Sequence, residues 1–172
     1  MAVILGIDPG SRKTGFGVVQ AHKGKASYLT SGIIRLPVDE PIGPRLGVLF
    51  ASLNQIIDEF RPDQLAIEQV FLARSADAAI KLGQARGAAM VACVARDMSV
   101  HEYSARQIKQ AVVGTGAASK EQVQHMVKTL LKLPAAPKED AADALAAALC
   151  HVHSSQTLIS VPATSLRRGR LR

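Results

Sequence analysis

The sequence predicts an α/β domain in which a mixed five-stranded sheet carries helices on both faces. Three observations lead there. Three strand-like apolar runs follow one another at the N-terminus, separated by turn residues. A strongly amphipathic helix then precedes another buried strand. After that, helix and strand alternate up to an Ala-rich last helix.

Residues 2–7, AVILGI, form a continuous apolar run of the kind a buried strand shows, and the run stops at the turn Asp8-Pro9-Gly10. Residues 14–20 and 26–36 read as the next two strands, joined by a turn around Lys23-Gly24-Lys25, so the three form a consecutive antiparallel meander. Leu46, Leu49, Phe50, Leu53, Ile56, Ile57 and Phe60 recur at helical spacing, and Pro62 closes that helix. QLAIEQV, residues 64–70, is a buried strand. Residues 75–97 are helical and rich in small side chains, Gly83 and Gly87 among them, and SVHEY, residues 99–103, is a short strand. Ser104 with Gln107, and Ser119 with Gln122, each fit a capping box that opens a helix. Pro134 and Pro137 break the chain before a last helix over residues 138–153. A single domain is therefore expected at 1–153, followed by a flexible basic tail, 154–172, that ends RRGRLR. No internal repeat and no dividing linker is visible.

The 172 residues suit one domain. Apolar residues make up 48%, enough for a full core, but aromatics are only 3% and Trp is absent, so that core must be aliphatic. The formal net charge is +7. Residues 104–172 hold ten Lys/Arg against four Asp/Glu, whereas residues 1–103 hold eleven against ten. A positive field of this kind suits a polyanion, nucleic acid or an anionic membrane surface, although it also serves solubility. Cys93 and Cys150 sit in apolar stretches and read as core residues of a reducing compartment. No run reaches the length of a membrane span, and the N-terminus lacks the pattern of a signal peptide, so a cytoplasmic protein is expected.

Four acids occupy places that acids usually avoid. Asp8 closes the first buried strand, and Glu68 lies in the strand of residues 64–70 between Ile67 and Val70. Asp140 and Asp143, three apart at the start of the last helix, share one face. Asp8 alone would fit a turn or helix cap equally well. Two strand acids plus a helical pair are a different matter, because converging carboxylates repel unless a cation joins them. Oxygen ligands without Cys or patterned His suit Mg²⁺ or Mn²⁺. The helix N-terminus favours ionised Asp140 and Asp143. Glu139 points off the shared face and is not included.

The segments GIDPGSRKTGFGVV, IEQVF, KLGQARG and DAADALA, in that order over residues 1–153, resemble the RuvC family of Holliday-junction resolvases, within the ribonuclease H-like superfamily. The resemblance implies a ribonuclease H-like fold and makes Asp8, Glu68, Asp140 and Asp143 both the catalytic acids and the metal ligands. It also implies resolution of four-way DNA junctions by paired symmetric nicks, in recombination and repair. The chemistry it implies is hydrolysis by two Mg²⁺ ions about 3.5–4 Å apart, with Mn²⁺ possible, giving 5′-phosphate and 3′-hydroxyl ends.

Lys109 and Lys120 lie early in the two helices after the last strand, with Arg106 one turn before Lys109. A helix N-terminus with a lysine is a good phosphate site, though most lysines are merely solvated. The resemblance tips Lys109 and Lys120 toward DNA. GTGAASK lacks the ending of a phosphate loop and reads as a turn into a capped helix. Phe71 fits a core residue as well as a functional one. In the family this position carries an aromatic that stacks near the crossover, a contact worth roughly 1–3 kcal/mol. Arg74 and its loop are expected at the backbone. His101, His125, His151 and His153 show no metal spacing, and of these only His151 is placed near the acids, behind them.

Junction cleavage at two symmetric points calls for a two-fold homodimer. Its expected surface is the 75–97 helix, where Ala78, Ala79, Leu82, Gly83, Ala85, Gly87, Ala88 and Ala89 leave much of the circumference small or apolar. The resemblance further implies cooperation with the branch-migration proteins RuvA and RuvB. Three other readings compete. A related nuclease could act on other branched or hybrid substrates. An actin-like sugar kinase would need a second such domain. A junction-binding scaffold would gain nothing from buried acids.

Overall fold

The computed structural model of the chain describes residues 1–69 and 75–160, with side chains through residue 155. Phe71 and Arg74 lie outside the described residues, as do residues 161–172. Ten elements follow in order: β1 (Ala2–Asp8), β2 (Lys13–His22), β3 (Lys25–Arg35), α1 (Ile42–Phe60), β4 (Gln64–Gln69), α2 (Ala76–Val94), β5 (Ser99–Ser104), α3 (Ala105–Val113), α4 (Lys120–Leu130) and α5 (Glu139–Ser160).

The five strands form one sheet in the order β3-β2-β1-β4-β5. The meander is present: β1 pairs antiparallel with β2, and β2 antiparallel with β3. The turn between β2 and β3 has positive φ at both Lys23 and Gly24, matching the twist of the strands it joins. β4 lies parallel to β1, and β5 parallel to β4, so helices must cross over between them. Both capping boxes form, Ser104 with Gln107 and Ser119 with Gln122.

Alternation along the strands divides the core into two layers. Leu5, Ile7, Leu65 and Ile67 pack with Leu49, Leu53 and Ile57 of α1 and with Ala85, Ala89 and Cys93 of α2. Ile4 and Ala66 point to the other face and pack with α3, α4 and α5. The central strands are thus covered on both faces by aliphatic side chains, as an aromatic-poor composition requires. α5 lies close on the sheet because both surfaces are trimmed. Ala141, Ala142, Ala144, Ala146, Ala147 and Ala148 are buried. A side chain at Gly6 would run into the Ala144 carbonyl, and one at Gly15 into the Asp140 carbonyl.

Two expectations are revised. α5 continues to Ser160 instead of ending at 153, since nothing in residues 154–160 breaks a helix. On α2, Ala85 and Ala89 are fully buried against the sheet and Ala88 packs against the same layer. They therefore do not belong to an outward surface. The side of α2 facing away from the core carries Ile80, Val91 and Val94, 63%, 61% and 55% exposed. Gly83 and Gly87 on the same helix have open space where a side chain would project.

Candidate active site

Strand parity decides where the acids point. Asp8 is in step with Ile4 and Gly6, and Glu68 with Ala66, so both face the α5 layer. Ile7 is opposite Ile67 in the parallel β1–β4 pair, which leaves Asp8 and Glu68 side by side at the ends of adjacent strands. Just past β1 the chain is tied down by Thr14, which is buried and bonds both the amide (3.2 Å) and the carbonyl (3.1 Å) of Gly10. Asp8 pairs with Gly15 across β1–β2, and the start of α5 rests on Gly15. That contact brings the first turn of α5 over the strand ends.

The result is a cleft of about 330 Å³ lined by Asp8, Glu68 and Asp143 and by Ala105, Ile108, Lys109, Lys120 and Val123. Two strand acids, one acid of α5 and one lysine each from α3 and α4 thus meet, as expected from the sequence. Burial pushes the Asp8 carboxyl up from 3.8 to about 8, helped by the negative charges of Asp143, Glu68 and Asp140. Burial also raises Glu68, with Asp143 adding to it and Lys109 and Lys120 opposing. Asp143 is raised by burial as well, against the pull of Lys120 and Lys109. Three carboxyls held above their ordinary range by burial and by each other are a site short of positive charge.

The fourth acid behaves differently. Asp140 is within electrostatic reach of Asp8 and Asp143 but does not line the cleft. Its Oδ2 accepts a hydrogen bond of 2.6 Å from Nζ of Lys13 at the start of β2. Among the described residues no three His, Cys, Asp or Glu groups are already gathered to hold a metal ion. The donor chemistry nevertheless fits a divalent cation. Asp8, Glu68, Asp143 and Asp140 supply hard oxygens only, at a place where added positive charge relieves repulsion.

The remaining candidates divide. Lys120 is ion-paired with Glu139, the residue before Asp140, and that hydrogen bond raises its pKa. Arg106 does not reach the acid cleft. Its stem lies over Gly116, and it lines a separate depression with Ser104, Gln107, Gln110, Ala111, Cys150 and Ser154. His151 is not behind the acids. It lies two turns farther along α5, where Nε2 donates to Gln64 Oε1 (2.9 Å), at the opposite end of β4 from Glu68. A neutral ring that donates from Nε2 accepts at Nδ1, here from the Tyr103 hydroxyl at 2.6 Å. The ring stacks on His101 at 4.1 Å, and burial followed by the His101 charge lowers its pKa to about 4. It is a buried structural histidine.

Sequence reasoning missed Lys13 and Arg86. Arg86 of α2 braces the end of β4 from the other face, its Nε donating to the Glu68 carbonyl at 3.3 Å while its guanidinium pairs with Glu102. Both are ordinary surface cations in a linear reading. Their partners are 127 and 18 residues away. The one available signal was the position of Lys13, two residues before Gly15 and so on the same face of β2.

Comparison with known proteins adds to this geometry. The family model described as crossover junction endodeoxyribonuclease RuvC matches residues 4–151. The chain is 58% identical to the crossover junction endodeoxyribonuclease RuvC of Tolumonas auensis, with all of both chains covered. It is 57% identical to that of Teredinibacter turnerae, with 99% of each covered. Among solved structures it resembles Thermus thermophilus RuvC in complex with a Holliday junction substrate. There the TM-score is 0.85 at 37% identity, covering 91% of this chain and 96% of that one.

Proposed function

The chain belongs to the crossover junction endodeoxyribonuclease RuvC family, and on that footing we propose that it resolves four-way DNA junctions by paired, symmetric hydrolytic nicks. The observation that carries this reading is the meeting of Asp8, Glu68 and Asp143 with Lys109 and Lys120 in one cleft. Negative charge at the bottom and positive charge at the rim suit a phosphodiester that must be both held and cut.

Asp8, Glu68, Asp140 and Asp143 would hold two Mg²⁺ ions, with Mn²⁺ able to replace them. Ions held there would supply Lewis-acid activation of a water and charge stabilisation at the leaving 3′ oxygen. The chain's own residues do the rest. Lys109 and Lys120 stand at the early turns of α3 and α4 and bind backbone phosphates on the cleft side. Ala105, Ile108 and Val123 give the cleft an apolar wall that limits its water. Phe71, three residues past Glu68, stacks on a base at the opened crossover, and Arg74 contacts the backbone beside it. Arg106 serves an outer phosphate instead of the acid cleft.

The working unit is a homodimer. Two like strands must be cut at symmetry-related points, and one chain carries one acid cluster. The outward side of α2, with Ile80, Val91 and Val94 exposed and Gly83 and Gly87 bare, supports a close helix–helix contact between copies. The cytoplasm is the compartment in which it acts. Both cysteines are free and buried, and no helix among the described residues is long and apolar enough to cross a membrane. RuvA and RuvB are its proposed partners on the junction.

The decisive experiment offers the protein a synthetic four-way junction and a linear duplex of the same sequence with Mg²⁺. Symmetric nicking of the junction alone is expected, lost in Glu68→Gln and Asp143→Asn while junction binding persists. Equal cutting of both substrates, or cleavage by both variants at the wild-type rate, would refute the proposal.

A further inference from the structure

We infer that Lys13 is a built-in competitor of the divalent cation for Asp140, so that it sets the metal concentration at which the acid cluster assembles. The inference rests on the reading of Asp140 as a metal ligand.

Lys13 opens β2 and is paired with Arg35 of β3, so its backbone is fixed by the ladder. It lies two residues from Gly15 and faces the same side of the sheet, beneath the first turn of α5. Its ammonium meets Asp140 Oδ2 at 2.6 Å. The two ends of the pair differ in exposure. The Lys13 side chain is 52% exposed, whereas that of Asp140 is 16% exposed. The carboxylate is therefore held near the cluster while the lysine is free to leave. An independent observation agrees. Asp140 is the one acid of the four that does not line the cleft. Lys120 forms its ion pair with Glu139, the neighbouring position of α5, and not with one of the four acids.

Asp140 is turned onto Lys13 and does not line the cleft, so ligating a cation there draws the carboxylate away from the ammonium, whose like charge also opposes the cation. The pair that is weakened subtracts from the metal's affinity. A half-exposed ion pair is a weak one, so the subtraction amounts to about two- to fivefold in affinity. The device tunes a threshold and does not block the site.

The test is direct titration of the full-length protein, without DNA, with Mn²⁺ as the probe and free Mn²⁺ read from its EPR signal. Lys13→Met should bind Mn²⁺ about two- to fivefold more tightly than wild type, and Lys13→Arg, which keeps the charge, should stay close to wild type. Asp140→Asn should bind more weakly whatever stands at position 13. If Asp140→Asn weakens binding but Lys13→Met does not strengthen it, the role of Lys13 is refuted and Asp140 remains a ligand. If Asp140→Asn leaves Mn²⁺ affinity unchanged, the ligand reading falls and the role of Lys13 falls with it. Lys13 is exposed at a strand start, and thermal unfolding of Lys13→Met at the wild-type temperature will show that the fold is kept.

Discussion

Replacing Asp8 by Asn should make the metal-free protein more stable, and increasingly so as the pH rises. The change keeps the shape of the side chain and removes its charge. In the folded chain the Asp8 carboxyl titrates at about 8, against an ordinary 3.8, because it is buried among Asp143, Glu68 and Asp140. Between these two values the unfolded chain has lost the proton and the folded chain still holds it. The folded state then binds more protons than the unfolded state, so stability falls as the pH rises through this window and levels off above it. At about 1.36 kcal/mol per pH unit the full interval corresponds to at most ~6 kcal/mol. The cleft is open to water and mobile counter-ions, which reduce this to about 2–3 kcal/mol. For a chain of this length that is a rise of roughly 5–10 °C in Tm for Asp8→Asn at alkaline pH. Calorimetric melts of both proteins in a chelator, at about pH 5 and about pH 8.5, measure it, and the gap should be much smaller at the lower pH. Adding Mg²⁺ should narrow the alkaline gap, because the wild type gains from binding and the variant gains less. Cleavage by the variant should be lost throughout. A variant less stable than wild type at alkaline pH, or a gap that does not change with pH, would refute the account of Asp8 as an uncompensated buried acid.

Further predictions concern DNA, assembly and the far end of α5. Lys109→Ala and Lys120→Ala should each weaken junction binding and lower the slope of log affinity against log salt by about 0.9, the share of one phosphate; unchanged slopes in both would make them ordinary surface lysines. Phe71→Ala should melt close to wild type yet lose most cleavage, whereas a large fall in Tm with normal turnover per folded molecule would make Phe71 a core residue. The wild type should sediment as a dimer at micromolar concentration, and Ile80→Asp or Gly83→Arg should shift it to monomer without unfolding it. A dimer that survives both changes would place the interface elsewhere. The His151 ring should stay neutral in NMR titrations down to about pH 5, consistent with its pKa near 4; protonation near the ordinary 6.5 would contradict its burial between Tyr103 and Gln64.

What the sequence determined by itself was local order and the identity of the chemistry. Continuous apolar runs, the helical spacing from Leu46 to Phe60 and the two Ser-to-Gln capping boxes are short-range signals, and each produced the element it announced. Asp8 and Glu68 stood out because an acid in an apolar strand carries a cost visible without coordinates. Their facing the same side followed only from the parallel register of β1 and β4, which sets Ile7 against Ile67. The outward side of α2 was misjudged for a related reason. Small or apolar residues cover much of its circumference, and only packing on the sheet distinguishes buried Ala85 and Ala89 from exposed Ile80 and Val91. The end of α5 at Ser160 carries no local signal, because no helix-breaking residue follows His153 within the helix. Most of all, the split between Asp143 in the cleft and Asp140 on Lys13 was beyond linear reading. A helical pair at i, i+3 points in one direction, but which cation meets each carboxylate depends on a lysine from the other end of the chain. Electrostatic partners are chosen by distance in space, and only the folded sheet brings residue 13 to residue 140.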